Sequence, residues 1–169
     1  EWPGGLLRRQ LTLFVPREAA GPLEALRRRM DPVQFRLIPA HVTLCREDEI
    51  AELSGETMRR RLLGAGGGPV TLRFGPAEPF SGHGILLPCI GGHAAFRALR
   101  QRLLGIESPR EQRPHITLAH PRNPRAPGNT LAAARGLPAS IEITFSTVAL
   151  IEQAGADPWV VLEKFALAP

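Results

Sequence analysis

The sequence predicts a mixed fold of strands and helices, arranged as two similar lobes within one domain. The tetrapeptide His-x-Thr-Leu occurs twice, at residues 41–44 and 115–118, in apolar surroundings typical of strands. An amphipathic stretch ends about ten residues before each copy, and a proline, Pro39 or Pro114, closely precedes each histidine. A repeated β-α-β unit would account for these parallels, since two copies are too few for a repeat array.

The first half of the chain alternates between extended and helical patterns. Residues 7–15 alternate in polarity and predict a strand, and apolar residues at helical spacing over 23–30 predict a helix. An Asp-Pro dipeptide at 31–32 is expected to end that helix. Residues 35–38 and 41–45 are then predicted to be extended, and the second of these segments carries the first histidine motif.

A further helical region and the first elements of the second half follow. Residues 47–63 have helical propensity that Gly55 interrupts, and a glycine-rich turn then separates the two halves. Residues 70–74 and 84–87 are predicted strands on either side of a loop rich in glycine and proline. Apolar residues at helical spacing predict a helix over 93–104.

The remaining elements repeat the order of the first half and then add two long apolar segments. Residues 115–119 are a predicted strand that carries the second histidine motif, and a short helix is expected around 130–135. The apolar segments 141–151 and 159–167 predict strands, and a Gly-Ala-Asp-Pro turn at 155–158 separates them.

Each motif carries residue types that suit acid–base chemistry at phosphorus. Side chains alternate faces along a strand, so His and Thr two positions apart point one way and their apolar neighbours point into a core. Two such strands on opposite walls of one groove would supply an imidazole to accept a proton, another to donate one, and two hydroxyls to hold an anion. A single copy would more often be a core histidine bonded to the backbone, but the duplication favours a site.

The charge of the chain is compatible with a nucleic-acid partner but does not establish one. The net charge is +5 and the sequence pI is about 10.8. The arginine runs at 27–29 and 59–61 fall in predicted helices, where consecutive side chains fan around the axis instead of forming one stripe. Solvated helix faces are sufficient to explain such runs.

The cysteines and the lack of long apolar runs predict a cytoplasmic protein. Cys45 and Cys89 lie in apolar segments and are expected to be buried and reduced. No apolar run approaches the roughly 20 residues of a membrane span. Residues 1–5 lack the layout of a secretory signal, and no membrane partner is expected.

Several imidazoles and thiols of the chain could gather in the fold and are candidate metal ligands. They are His41, His83, His93, His115, His120, Cys45 and Cys89. None of the compact spacings of metal ligands occurs among them. The glycine runs lack the Gly-Lys-Ser/Thr ending of a phosphate-binding loop. We therefore expect chemistry that needs no metal and no other cofactor.

Taken together, these residues resemble the 2H phosphoesterases, and within them the bacterial and archaeal 2′-5′ RNA ligase-like proteins, also described as RNA 2′,3′-cyclic phosphodiesterases. The resemblance covers nearly the whole chain and rests on the two motifs, the opening strand at 11–16 and the closing strand pair through Trp159. It implies an α+β fold of two pseudo-symmetric lobes, with antiparallel sheets and outer helices around a central groove. Residues 1–169 would then form one bilobal domain, with pseudo-repeat halves of roughly 1–66 and 67–169.

The resemblance also assigns site residues. It implies that four side chains line the active site: His41, Thr43, His115 and Thr117. Family members commonly carry a basic residue five positions after the motif histidine; Arg46 fills that position in the first copy, whereas the second copy has His120. Strict alternation puts this position on the opposite face, so substrate binding by Arg46 or His120 requires a bulge or a strand end.

The function implied is a metal-independent phosphodiesterase that opens 2′,3′-cyclic phosphate ends of RNA to 2′-phosphates. With a ribose 5′-hydroxyl in place of water, the same groups would join RNA ends through a 2′-5′ bond without ATP. Two alternatives stay open. One is the same chemistry on a small cyclic nucleotide or a 2′-5′ oligonucleotide, and the other is a non-catalytic module that binds a nucleotide or RNA. A monomer is expected in each case.

Overall fold

The computed structural model describes residues 6–63, 67–82, 84–122 and 129–167, and it has an α+β fold. The elements in chain order are β1 (Leu7–Phe14), α1 (Arg17–Met30), α2 (Pro32–Leu37), β2 (His41–Cys45), α3 (Glu47–Ile50), α4 (Gly55–Leu63), β3 (Val70–Phe74), β4 (Glu78–Phe80), β5 (Gly84–Gly91), α5 (His93–Leu104), β6 (His115–Ala119), a 3-10 turn (Leu131–Ala134), β7 (Ile141–Phe145), β8 (Thr147–Ala154) and β9 (Val160–Ala166). None of the helices in these ranges has the length and apolarity needed to cross a membrane.

Two antiparallel sheets form the framework, as the predicted fold class requires. The first sheet has the strand order β2-β1-β8-β9. In the second, β5 pairs with β3, β4 and β6, and β7 pairs with β3. The units β1-α1-α2-β2 and β5-α5-β6 correspond, because in each a helical connection joins two antiparallel neighbours and the second strand carries the histidine motif. Helices α1 and α5 each end 11 residues before the histidine, 41 − 30 and 115 − 104.

The sheets do not divide the chain at the boundary between the expected halves. Strands β8 and β9 lie within 67–169, yet β8 pairs with β1 and β9 pairs with β8, so the two strands complete the first sheet. Strands β3 to β7 form the second sheet from one continuous stretch of chain. The second lobe is therefore an insertion between the two parts of the first, and residues 64–66 at the expected boundary lie outside the described ranges.

The structure corrects two local predictions. The expected extended segment at 35–38 is wrong, since α2 covers most of it. The Asp31 side chain accepts a hydrogen bond from the Gln34 backbone at 3.0 Å and Pro32 occupies the first turn, so the Asp-Pro dipeptide starts a new helix as well as ending α1. The apolar segment 141–151 is two strands, β7 and β8, which belong to different sheets.

One hydrophobic core joins the two sheets and their helices. Leu13, Val42 and Leu44 of the first sheet belong to the same buried cluster as Ile116 and Leu118 of the second. Side chains from α1 and α5 cover this cluster, and they include Leu23, Met30, Phe96 and Leu99. Because the apolar positions of both motif strands lie in this shared core, packing sets the position of each motif relative to the other.

A buried arginine of the second lobe ties the two motif segments together. Arg100, on α5, has a side chain that is 2% exposed. Its guanidinium donates to the Leu44 carbonyl of β2 at 2.6 Å, to the Glu49 carboxylate of α3 at 2.7 Å, and to the Arg110 carbonyl at 2.7 Å in the segment that leads to β6. Burial acts to raise the pKa of Glu49, but the hydrogen bond from Arg100 and further contacts outweigh it and lower that pKa.

The first lobe makes a reciprocal contact. Asp31, which follows α1, accepts a hydrogen bond from the His120 backbone at 2.9 Å, immediately after β6. Helix α1 contacts β6 and helix α5 contacts β2. Each lobe therefore holds the motif strand of the other through its own helix.

We predict that Arg100→Met destabilises the protein by about 3 kcal/mol or more, because it leaves the Glu49 carboxylate buried without its partner. Arg97→Met is the matched control, since Arg97 is an exposed arginine on the same helix, and it should change the free energy of unfolding by no more than about 0.5 kcal/mol. Urea denaturation followed by circular dichroism measures both values. Equal stabilities of the two variants would contradict the role given to Arg100.

Candidate active site

The first motif lies on β2, at the edge of the first sheet. Val42 and Leu44 are fully buried, whereas His41 and Thr43 are half-buried, so the strand has one face in the core and one towards solvent. His41 pairs with Phe14 in β1. The strand therefore shows the expected alternation of buried and solvent-facing side chains.

The second motif on β6 repeats this arrangement. Ile116 and Leu118 are buried in the core, and His115 and Thr117 are half-buried. His115 is paired with Pro88 of β5. The same four-residue pattern thus produces the same division between core and surface in both lobes.

The structure brings the two motifs together. Strands β2 and β6 contact each other although they belong to different sheets. Gln112, which precedes β6, donates a hydrogen bond from Nε2 to the Thr43 carbonyl at 3.3 Å. His41 and His115 are close enough to interact electrostatically. Two imidazoles and two hydroxyls, one of each from either lobe, therefore occupy adjoining strands.

Both histidines are held as the same tautomer. Nδ1 of His41 lies 2.8 Å from the Pro39 carbonyl, and Nδ1 of His115 lies 3.0 Å from the Arg113 carbonyl. A carbonyl oxygen only accepts hydrogen bonds, so Nδ1 must carry the proton in each ring. In the neutral ring this leaves the Nε2 lone pair free to accept a proton, and in the charged ring Nε2–H is the group that can donate one.

An aromatic ring lies beside each histidine. Phe14 makes an edge contact with His41 at 6.3 Å between ring centroids, and Phe80 contacts His115 at 6.0 Å in a tilted geometry. Phe14 packs against a small core cluster that includes Ile38 and Ile151. Both phenylalanines are half-buried. They limit the orientations open to the imidazoles and make one side of each ring apolar.

The environment of His41 favours its neutral form. Burial, together with the charges of Arg27 and His115, lowers the pKa of His41 to about 4, although the hydrogen bond to the Pro39 carbonyl acts to raise it. At pH 7 the ligand-free site therefore holds His41 neutral. A phosphodiester anion at Nε2 would oppose this shift, because a nearby negative charge favours the imidazolium.

Arg46 and His120 both lie just beyond the end of a motif strand. Side-chain alternation within the strand therefore does not confine them to the face opposite the motif histidine. Arg46 is exposed and follows β2, and its backbone donates to Glu49 at 2.9 Å. His120 is half-buried and follows β6, and its Nδ1 accepts a hydrogen bond from the Arg122 backbone at 3.1 Å. Burial and the charge of Arg122 lower the pKa of His120, against the effect of Asp31. The neutral His120 ring therefore carries its proton on Nε2.

Within the described ranges no three His, Cys, Asp or Glu side chains gather in a way that could hold a metal ion. His83, one of the residues weighed as a ligand, lies outside them. Cys45 and Cys89 are free and buried, and burial raises the pKa of the Cys45 thiol to about 12. These thiols are thus poor nucleophiles and poor metal ligands at neutral pH.

Sequence reasoning missed the polar residues that support the site. Glu24, Arg27, Asp31, Arg100 and Gln112 each hydrogen-bond to a motif strand or to the segment beside one. The spacing of Glu24 and Arg27, three residues apart on one helix, is a signal that could have been noticed. Their bonds to the turn before β2 depend on the tertiary fold and have no local signature.

Comparison with known proteins agrees with this fold and arrangement of motifs. The sequence profile of the 2′-5′ RNA ligase superfamily matches residues 15–157. E. coli LigT complexed with 3′-AMP superposes with a TM-score of 0.52 at 17% identity, over 99% of this chain and 100% of LigT. LigT complexed with ATP gives 0.55 at 15% identity, over 98% and 99%. A solved phosphoesterase gives 0.53 at 17% identity, over 99% and 100%. Comparison with curated protein sequences gives no match.

The two paired motifs and the two antiparallel sheets define the fold of a 2H phosphoesterase. The match extends over most of the 169 residues, and the chain belongs to the 2′-5′ RNA ligase superfamily. The resemblance predicted from the motifs is thereby confirmed, and so is the predicted fold class.

Proposed function

We propose that the protein is a metal-independent phosphodiesterase that opens 2′,3′-cyclic phosphate ends of RNA and leaves a 2′-phosphate. One observation carries the proposal. The two His-x-Thr pairs lie half-exposed on contacting strands from different sheets, and each imidazole has its Nδ1 bound to a backbone carbonyl. This arrangement supports a site in which each pair offers Nε2 and a hydroxyl to one phosphorus atom, as acid–base catalysis requires.

The reaction we propose is an in-line displacement at the cyclic phosphate. One neutral imidazole removes a proton from water, whose oxygen bonds to phosphorus. The bond between phosphorus and the ribose 3′ oxygen breaks, and the protonated imidazole donates its Nε2 proton to that oxygen. The hydroxyls of Thr43 and Thr117 hydrogen-bond the non-bridging oxygens as negative charge builds on them. A ribose 5′-hydroxyl in place of water would give a 2′-5′ bond by the same proton transfers.

Arg46 and His120 are proposed as substrate contacts. Each follows a motif strand directly, where its side chain is no longer bound by the alternation of the strand. Arg46 brings a permanent positive charge, and the neutral His120 brings an Nε2–H donor. The two ends of the site would therefore bind a phosphate or ribose differently. We also propose that the protein is cytoplasmic, in keeping with its two buried free cysteines, and that it is a monomer.

A small nucleotide is the second candidate substrate. LigT, which shares the fold, has been crystallised with 3′-AMP and with ATP, so this fold accommodates single nucleotides. The chemistry at phosphorus would be unchanged. The two candidates differ in whether contacts beyond the terminal nucleotide contribute to binding.

Substitution of the motif residues tests catalysis. We expect His41→Ala and His115→Ala each to lower kcat on a nucleoside 2′,3′-cyclic phosphate by about 10² to 10⁴, since each removes a positioned acid–base group. Thr43→Val and Thr117→Val should each cost about 10² to 10³. His93→Ala, at an exposed histidine of α5, is the control and should leave the rate unchanged. Turnover within a few-fold of the parent in both histidine variants would show that the assignment of these histidines as catalytic residues is wrong.

The pH dependence of kcat/KM provides a second prediction. One imidazole must be neutral and the other protonated, so we expect a bell-shaped profile whichever histidine is the donor. Because the pKa of His41 is lowered to about 4, the acidic limb should lie near that pH. Rates between about pH 3 and 9, with circular dichroism to confirm folding, measure it. An acidic limb above about pH 6 would contradict the described environment of His41.

A comparison of substrates separates the two candidates. We expect kcat/KM for a short RNA ending in a 2′,3′-cyclic phosphate to exceed that for the matching mononucleotide by about tenfold or more, because one further stacked base contributes about 1–3 kcal/mol. A matched RNA with a 3′-hydroxyl end is the control, and it should compete weakly. Equal values for the two cyclic phosphates would favour the small nucleotide as substrate.

A further inference from the structure

The turn that precedes the first motif is held by an ion pair from α1. Nη2 of Arg27 donates to the Ile38 carbonyl at 2.8 Å. The Glu24 carboxylate accepts from the Ala40 backbone at 2.9 Å and from Nη1 of Arg27 at 2.8 Å. These bonds fix the residues on either side of Pro39, whose carbonyl binds Nδ1 of His41.

The charge of Arg27 is buried together with these bonds. Its side chain is 3% exposed, while the side chain of Glu24 is 25% exposed. Taking a guanidinium out of water costs several kcal/mol, and only good geometry with further hydrogen bonds compensates for it. Arg27 acquires that compensation from one carboxylate and one carbonyl, both beside the His41 turn.

The second motif reaches the same imidazole geometry, and within the described ranges no ion pair holds the turn before it. The turn before His115 is held by a backbone hydrogen bond from Cys89 to the Pro114 carbonyl at 3.1 Å. Nδ1 of His115 is nonetheless bound to the carbonyl two residues earlier, as in His41. Backbone bonds therefore suffice for the tautomer, whereas the turn before His41 also carries the buried guanidinium of Arg27.

We propose that the Glu24–Arg27 pair positions His41 for catalysis. The pair holds the Pro39 carbonyl in place to accept the hydrogen bond from Nδ1 of His41, and it places a buried positive charge beside the imidazole ring. This inference rests on the proposed function and names a further positioning pair for that site. Neither side chain is required to touch substrate.

The charges around His41 agree with this role. After burial and the opposing hydrogen bond to Pro39, Arg27 is the first charged group that lowers the pKa of His41, and His115 is the next. Glu24 faces Arg27 from the same helix and partly balances it. Arg27 thus adds to the effect of burial in keeping the His41 imidazole neutral.

Titration of the imidazoles by ¹⁵N nuclear magnetic resonance tests the proposal without any substrate. We expect Arg27→Met to raise the pKa of His41 by about one unit, because it removes a nearby positive charge. Arg28→Met removes the same charge from an exposed position on the same helix and should leave that pKa unchanged. Equal shifts in the two variants would overturn the proposal.

Two further measurements keep the test decisive if Arg27→Met folds poorly. The double variant Glu24→Gln/Arg27→Met removes both charges but keeps an oxygen for the Ala40 backbone, and the pKa of His41 should still rise relative to that in Arg28→Met. In the parent protein at pH 7, His41 should carry its proton on Nδ1. A proton on Nε2 of the neutral ring would overturn the proposal as well.

Activity distinguishes this inference from the proposed function. A parent protein that hydrolyses no phosphodiester refutes the function, whereas the titration still reports on the Glu24–Arg27 pair. If the parent is active, the acidic limb of kcat/KM should move to higher pH in Arg27→Met and stay in place in Arg28→Met. An unmoved limb in a folded Arg27→Met variant would count against the pair.

Discussion

The buried guanidinium of Arg100 is the interaction on which the arrangement of the site depends most. It belongs to the second lobe, yet it binds the end of the first motif strand, a carboxylate beside it, and the segment that leads to the second motif. Removing such a charge from water costs several kcal/mol, which is recovered only when all of these partners are in place. The contact therefore forms only when both lobes have their final relative position, and it opposes any sliding of one motif strand against the other.

Apolar packing and buried polar contacts have different roles throughout the site. Apolar residues of the motifs, such as Val42 and Ile116, place the strands in one core, whereas buried polar contacts fix fine position. Asp31 holds the residue after β6 from the first lobe, as Arg100 holds β2 from the second. Hydrophobic packing is not directional, but a hydrogen bond to a named carbonyl is, so the polar contacts supply the precision that proton transfer needs.

The sequence was most informative where structure depends on local pattern. The period of two in each motif correctly places His41 and His115 towards solvent and their neighbours in the core. The Asp-Pro dipeptide did not predict the second helix, because the same two residues both end one helix and begin the next. The roles of Arg27 and Arg100 were hidden, since in the sequence they are ordinary members of an arginine-rich chain. Which arginines are buried depends on partners that are 11 and 56 residues away.

The return of β8 and β9 to the first sheet affects how the protein can be assembled. Strands β3 to β7 are continuous in the chain and can pair as soon as they have been synthesised, whereas β1 must wait for β8, which lies more than a hundred residues later. Closing so long a loop is slow because its entropy is lost before the pairing is gained. Until then β1 has an open edge that could pair with another nascent chain. On the ribosome the second sheet should therefore pair before the first is complete, and the finished four-stranded sheet would be a late event.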